Sequence, residues 1–212
     1  MKSAHFTHFQ IAPILAALGA GALLGAIGPF ASKFDNLVCQ VVGNVFSVGW
    51  SWACFAFLVG YSRRSRIEAS LLASSSLAVG VAVYYLFKFL SPDVPTGGIV
   101  ISGAGDGLFS RALLWGTAAF VFGAPVGLLG SMARTPGIGG LGFRMIIPLI
   151  AFFEASQRQA AGVDDSQGGV VEMVWASIRA LSVVAVVLLV GHTAWSWWHG
   201  RRTRQPAPAK RL

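Results

Sequence analysis

The chain is 212 residues long, 55% of them hydrophobic and 11% charged, with a formal net charge of +8 at pH 7. Its mean hydropathy of +0.67 lies outside the range of soluble globular domains and indicates a membrane protein without a separate soluble domain. The basic residues cluster in short loops and at the C-terminus instead of forming a binding face, so we expect no nucleic-acid partner.

Six apolar stretches are each long enough to cross a bilayer as a helix, because the hydrocarbon core takes about 20 apolar residues. We therefore predict an all-α fold, a polytopic membrane helix bundle of about six transmembrane helices in the cell membrane. In chain order the predicted spans are 9–30, 37–61, 67–90, 108–132, 141–157 and 173–198.

The basic segments fix the predicted orientation. Arginines and lysines concentrate in the loops 62–66 and 133–137 and in the tail 200–212, and by the positive-inside rule these segments face the cytoplasm. Both termini are then cytoplasmic. We expect residues 1–200 to form a single transmembrane domain, and the basic segment 201–212 to be a disordered tail that rests on anionic headgroups.

Small residues at four-residue spacing predict close helix packing in two spans. Gly21 and Gly25 have this spacing in the first span, and Gly123 and Gly127 have it in the fourth. The fifth span is short and carries Pro148 in its middle, where we expect a break or a bend that lines a cavity.

A polar stripe runs along the second predicted span. Asn36, Gln40, Asn44, Ser47 and Ser51 follow one another at spacings of three or four, which places them on one face of a single helix. Such a stripe can join helices through side-chain hydrogen bonds, or it can wet the wall of a cavity. Both interpretations remain open.

The third span ends in two tyrosines and a lysine. Tyr84 and Lys88 share one face, and Tyr85 and Phe89 share the next. Lys88 lies close to the membrane boundary, so it can snorkel to the surface. Alternatively it binds an acidic partner or an anionic ligand, with the tyrosine hydroxyls as neighbouring donors.

The fourth span begins after a glycine-rich segment that contains Asp106. This acid is expected to cap the helix, and the flexible glycines would also let it reach into the bundle. Arg111 and Trp115 follow, one and two turns into the helix. Both are candidates for ligand contacts.

Glu154, near the end of the fifth span, is the acid expected to lie deepest in the membrane. An intramembrane carboxyl is a functional-site hypothesis by default, and Arg158, Arg111 and Lys88 are within topological reach as partners. In apolar surroundings Glu154 would be a proton donor near neutral pH. Beside a cation it would remain ionised and structural.

The topology places most of these polar residues, including Asp35, toward the same side of the membrane. We expect them to converge on one pocket with an acid-containing mouth and an apolar, aromatic interior. The aromatic residues expected at that depth are Trp50, Trp52, Tyr85, Phe89, Trp115, Phe152 and Trp175.

Known catalytic and cofactor signatures are missing from the sequence. It contains no zinc-type His and Cys spacing, no P-loop, no nucleophile elbow and no Rossmann fingerprint. We therefore predict no metal and no cofactor.

Several short motifs lie between Asn44 and Glu154. They are Trp50-Ser51-Trp52, Tyr84-Tyr85, Arg111 to Trp115, Gly123-Ala124-Pro125 to Gly127, and Arg134. On these motifs the chain resembles a family of small actinobacterial multi-span membrane proteins of unassigned function. In size and span number it is also similar to the small bacterial integral-membrane terpene cyclases that act on prenylated indoles in drimentine-type pathways.

The similarity to terpene cyclases implies an enzyme that protonates an alkene or epoxide and guides a carbocation. The leading hypothesis is thus an integral-membrane enzyme that acts on an isoprenoid or other lipophilic substrate, with Glu154 as proton donor and Asp35 or Asp106 as supporting acid. Aromatic faces would stabilise cationic centres in a dry cavity. Predicted substrate contacts are Gln40, Asn44, Trp50, Trp52, Tyr84, Tyr85, Lys88, Phe89, Arg111 and Trp115.

Two alternatives from other functional classes remain. In a small transporter or channel component, the polar stripe would wet a path and Glu154 would pair with a cation as a gate. In a lipid-phosphate-binding protein, Lys88, Arg111, Arg158 and Arg179 would grip an anionic headgroup. Membrane lipids are expected partners in every case, and the sequence predicts no particular oligomeric state.

Overall fold

The computed structural model describes residues 4–34, 36–91, 104–160 and 168–202. Side chains are described for 11–34, 36–91, 107–160 and 169–199. Asp35 and most of the predicted tail, 203–212, lie outside the described residues. Within the described ranges the fold is all-helical, with α1 Ala4–Ala31, α2 Leu37–Phe46, α3 Gly49–Tyr61, α4 Arg66–Leu90, α5 Ala104–Met132, α6 Ile138–Ala160 and α7 Gly168–Arg202.

Five of these helices are long and apolar enough to cross a membrane, and α2 with α3 adds a sixth span if the bent pair is counted as one. The predicted multi-span helical fold is therefore confirmed. Large apolar side chains such as Leu23, Phe122 and Leu188 are about two-thirds exposed on the outer faces. Acyl chains would cover this surface. The cytoplasmic placement of the termini stays a prediction.

The second span is broken, and the prediction of one continuous helix over 37–61 is wrong. It divides into α2 and α3, which differ in direction by 64°. Val48 has an extended backbone between them, while Asn36 caps α2 by accepting a hydrogen bond from the Cys39 N–H at 2.8 Å. The five residues of the polar stripe therefore do not share one helical face.

The proline-containing fifth span is continuous. Pro148 lies inside α6, which runs without interruption from Ile138 to Ala160, so no break occurs where the sequence suggested one. The broken span has no proline at its break, and a side chain from α6 satisfies its backbone there. The position of a break therefore depends on tertiary hydrogen bonds as well as on proline.

Helices α1, α3, α4 and α5 pack closely through their glycines. A Cβ atom on Gly21 or Gly25 would overlap backbone carbonyl groups of α4, and one on Gly60 of α3 would overlap the carbonyl of Gly127. A Cβ on Gly123 would lie 2.9 Å from the Cα of α4 residue Ser74. These contacts confirm the packing role predicted for both glycine pairs.

Helices α6 and α7 pack against each other and meet the other helices beside the break. Val48, from the segment between α2 and α3, packs in a buried cluster with Ala155 of α6 and with Val171 and Trp175 of α7. This cluster places the end of α6 against the N-terminus of α3.

Candidate ligand cavity and the helix break beside it

A cavity of about 360 Å³ lies between α3, α4 and α5. This volume falls at the lower end of the range for small-molecule sites, about 300–1,000 Å³. Some of the lining residues are aromatic, and others have small side chains, namely alanines on α3 and α5. The aromatic lining residues are Trp52, Tyr84, Tyr85, Trp115 and Phe122.

The aromatic wall is fixed by ring contacts and by one hydrogen bond. Trp52 and Tyr84 meet edge to face with their ring centroids 6.4 Å apart, and Tyr84 meets Tyr85 in the same way at 5.3 Å. The Trp52 indole donates a hydrogen bond across the helix break to the Phe46 carbonyl at 3.0 Å. Edge-to-face pairs of this kind hold both rings in defined orientations.

At α5 the lining of the cavity reaches the outer surface of the bundle, a surface that lipid would cover. Two of its lining residues, Trp115 and Phe122 on α5, are 56% and 67% exposed. On its inner side Ala56, Leu77 and Ala119 are buried.

The floor of the cavity includes the break between α2 and α3, where Glu154 caps α3. Gly49 donates its backbone N–H to one carboxylate oxygen of Glu154 at 3.2 Å, and Trp50 donates to the other at 2.7 Å. Val48, the residue before α3, gives no side-chain cap. A carboxylate at this end of a helix also interacts favourably with the helix dipole.

Gly49 lies directly against this carboxylate. A Cβ atom there would lie 3.4 Å from a Glu154 oxygen, in van der Waals contact. Arg158 forms an ion pair with the same carboxylate at 3.2 Å, and its guanidinium lies 5.0 Å from the ring centroid of buried Trp175. Glu154 thereby connects α3, α6 and α7.

This arrangement is the one that the sequence analysis associated with a structural carboxylate, since a cation lies beside Glu154. Both oxygens accept backbone hydrogen bonds, and Gly49 separates the carboxyl from the cavity. Within the part of the chain whose side chains are described, no acidic residue lines the cavity.

The structure gives no side-chain position for the two other predicted catalytic acids, Asp35 and Asp106. Asp35 lies outside the described residues. Asp106 lies inside α5, Ala104–Met132, and not at the predicted cap position, and its side chain lies outside the described set.

The predicted contact residues fall into three groups. Trp52, Tyr84, Tyr85 and Trp115 line the cavity, and Lys88 and Arg111 lie one helical turn beyond it. The remaining four residues do not line the cavity. On α2, Gln40 is exposed and Asn44 is half-buried. Trp50 packs against the buried cluster of α6 and α7, and Phe89 is 66% exposed.

The sequence analysis did not predict the side of the cavity that is lined by small residues. Ala53 and Ala56 of α3 face Ala118 and Ala119 of α5 across the space that the aromatic rings leave open. The available signal was the spacing of Ala53 and Ala56, which are three residues apart and therefore share one face of α3. Ser47 was named only as part of the polar stripe, and it lines the cavity because the helix breaks after it.

The sequence matches no protein-family model, and neither a curated protein nor a solved structure matches it. The resemblance to small actinobacterial membrane proteins and to membrane terpene cyclases therefore stays a prediction. A functional assignment depends on the geometry of this chain's own residues.

Proposed function

We propose that this protein binds a lipophilic small molecule of isoprenoid type in the cavity between α3, α4 and α5, in the cell membrane. The observation that carries the proposal is the exposure of two lining residues, Trp115 and Phe122, on a surface that lipid would cover. A hydrocarbon ligand partitions into the bilayer, and from there it reaches an apolar site without exposure to water.

The lining supports a hydrocarbon ligand over an ion or a polar solute. Its polar groups are few, chiefly the hydroxyls of Ser47, Tyr84 and Tyr85, and the rest is aliphatic or aromatic. Such a lining favours burial of apolar area, worth about 25 cal/mol per Å². Ion conduction needs carbonyl or charged groups along a path, and this mainly apolar lining does not supply them.

A second candidate function is enzymatic, namely proton-initiated cyclisation of the bound isoprenoid. The observation that favours it is the set of aromatic rings around the cavity, since ring faces stabilise carbocations. Glu154 would deliver the proton only after releasing the α3 N-terminus. Purified protein supplied with a prenylated substrate should then yield a cyclised product, and turnover unchanged in Glu154→Gln would exclude this residue as the donor.

The binding proposal is tested with radiolabelled farnesol and the protein in lipid nanodiscs. Ala119 is 7% exposed and lines the cavity, so Ala119→Phe fills the space that the ligand would occupy. We expect this substitution to weaken farnesol binding at least about tenfold, which corresponds to about 1.4 kcal/mol.

The matched control introduces the same side chain where lipid would cover it. Leu188→Phe on α7 alters a residue that is 65% exposed and does not line the cavity, so it should leave farnesol binding unchanged. Equal binding by wild type, Ala119→Phe and empty nanodiscs would refute the proposal. A thermal unfolding scan of each variant separates loss of the site from loss of the fold.

A further inference from the structure

Two cations lie at one end of the cavity, each one helical turn beyond its aromatic lining. Lys88 follows Tyr84 by four residues on α4, and Arg111 precedes Trp115 by four residues on α5. Because α4 and α5 are consecutive, packed spans, both cations lie at the end where the chain passes from α4 to α5. Four helical residues rise about 6 Å.

Lys88 contacts the aromatic wall, and Arg111 is connected to it by its position on α5. The Lys88 ammonium lies 5.7 Å from the ring centroid of Tyr84, a cation–π distance, and Lys88 is half-buried. Arg111 is exposed and shares a helix face with the lining residue Trp115, four positions later. Tyr84 and Trp115 both line the cavity, so each cation lies one helical turn from an aromatic lining residue, and the Lys88 ammonium contacts one of them.

We propose that the ligand is an amphiphile with a phosphate head, which Lys88 and Arg111 bind while the hydrocarbon tail occupies the aromatic cavity. This inference rests on the proposed function. An arginine fork binds phosphate oxygens in pairs, and a lysine adds a compact positive charge. An apolar site with cations at a single end complements a molecule that has one anionic head and one apolar tail.

The test compares farnesyl phosphate with farnesol in nanodiscs of zwitterionic phosphatidylcholine. Wild type should bind the phosphate about tenfold more tightly or better, as expected for charge-assisted hydrogen bonds. The double variant Lys88→Gln, Arg111→Gln should lose this preference and keep its affinity for farnesol. Retained farnesol binding also shows that the variant is folded.

Lys33→Gln is the matched control. It removes one positive charge at the same end of the bundle, where Lys33 lies 5.3 Å from the Phe87 ring centroid, and Lys33 does not line the cavity. The phosphate preference should survive in this variant. If Lys33→Gln lowers the preference as much as the double variant, general surface charge explains it and the inference fails.

Binding of farnesol with no preference for its phosphate would overturn the inference and leave the proposed function standing, whereas no binding of either molecule would refute both. Inorganic phosphate that displaces farnesyl phosphate at equal concentration would also overturn it, because the tail would then contribute nothing. Displacement by phosphatidylglycerol in the disc supports a phosphate amphiphile drawn from the bilayer. If phosphatidylglycerol does not compete, the result supports an isoprenoid phosphate as the ligand.

Discussion

Backbones approach closely where α1 meets α4 and where α5 meets α3 and α4, whereas α6 and α7 meet α3 around a hydrogen-bonded carboxylate. The first region depends on many small residues, among them Gly25, Gly60 and Gly127, each in contact with backbone atoms of a neighbouring helix. The second depends on Glu154, which joins α3 to α6. In a bilayer apolar burial does not by itself bring helices together, so close fit and polar contacts do so.

The cavity lies on the border between these regions. Its walls come from the glycine-packed helices, but Val48 and Gly49 in its floor are held by residues of α6 and α7. A change in α6 can therefore reach the ligand site through Glu154 without altering any aromatic lining residue. We therefore expect substitutions at the glycine contacts to change mainly the free energy of unfolding, and substitutions of Glu154 to change both this free energy and ligand binding.

The largest effect is expected in the glycine-packed region. Gly60→Ala places a Cβ against the Gly127 carbonyl, which is backbone and cannot move without separating α3 from α5. We expect it to lower the free energy of unfolding by about 3 kcal/mol, the upper end for overpacking. Titration with sodium dodecyl sulfate, followed by circular dichroism, measures the change.

Gly116→Ala on α5 is the control for this prediction, because nothing lies within 4 Å of a Cβ there. It should leave stability unchanged or raise it by about 0.5 kcal/mol through helix propensity. Similar losses in both variants would show that glycine flexibility, and not close packing, is the property that matters.

The second prediction concerns the polar contact. Glu154→Ala removes the acceptor of the Gly49 and Trp50 N–H groups, in surroundings where the side chain of Glu154 is only 22% exposed. We expect a loss of about 2 kcal/mol, typical of hydrogen bonds to a charged group. Glu172→Ala, at an exposed position of α7, removes the same charge and should have little effect.

Farnesol binding completes the test of Glu154. Since Gly49 lines the cavity, Glu154→Ala should weaken binding even though its own side chain does not line the site. If the unfolding free energy falls and binding is unaffected, the break is not part of the ligand site.

The spans and the glycine contacts could be predicted from the sequence because they are local patterns. Apolar length identifies a span, and the spacing of Gly21 and Gly25 marks one face of a helix. Trp52 and Tyr84, which the sequence assigned to a pocket, both line the cavity, and their role in binding a ligand stays a prediction.

The broken span could not be predicted because its cause is distant in the chain. No proline marks positions 46–49, and the carboxylate that caps α3 belongs to a residue 105 positions after Gly49. The same fact changes the interpretation of Glu154, for which the sequence suggested only cationic side chains as partners. Its backbone partners on α3 become visible only in the folded chain.

The smallest effect is expected from Arg158, the third member of the polar contact. Its ion pair with Glu154 is partly exposed, with Arg158 44% accessible, and it joins residues one turn apart on α6, so it contributes only about 0.3–0.5 kcal/mol. The guanidinium over the Trp175 ring adds about 0.5–1 kcal/mol.

Arg158→Ala should therefore lower the free energy of unfolding by about 1 kcal/mol, roughly half the loss expected for Glu154→Ala. Arg179→Ala, at an exposed position of α7, is the control for loss of an arginine and should change it less. Equal losses for Arg158→Ala and Glu154→Ala would mean that the carboxylate cannot cap α3 without its ion pair. A loss confined to Glu154→Ala would assign the whole contact between the regions to the two backbone N–H groups of α3.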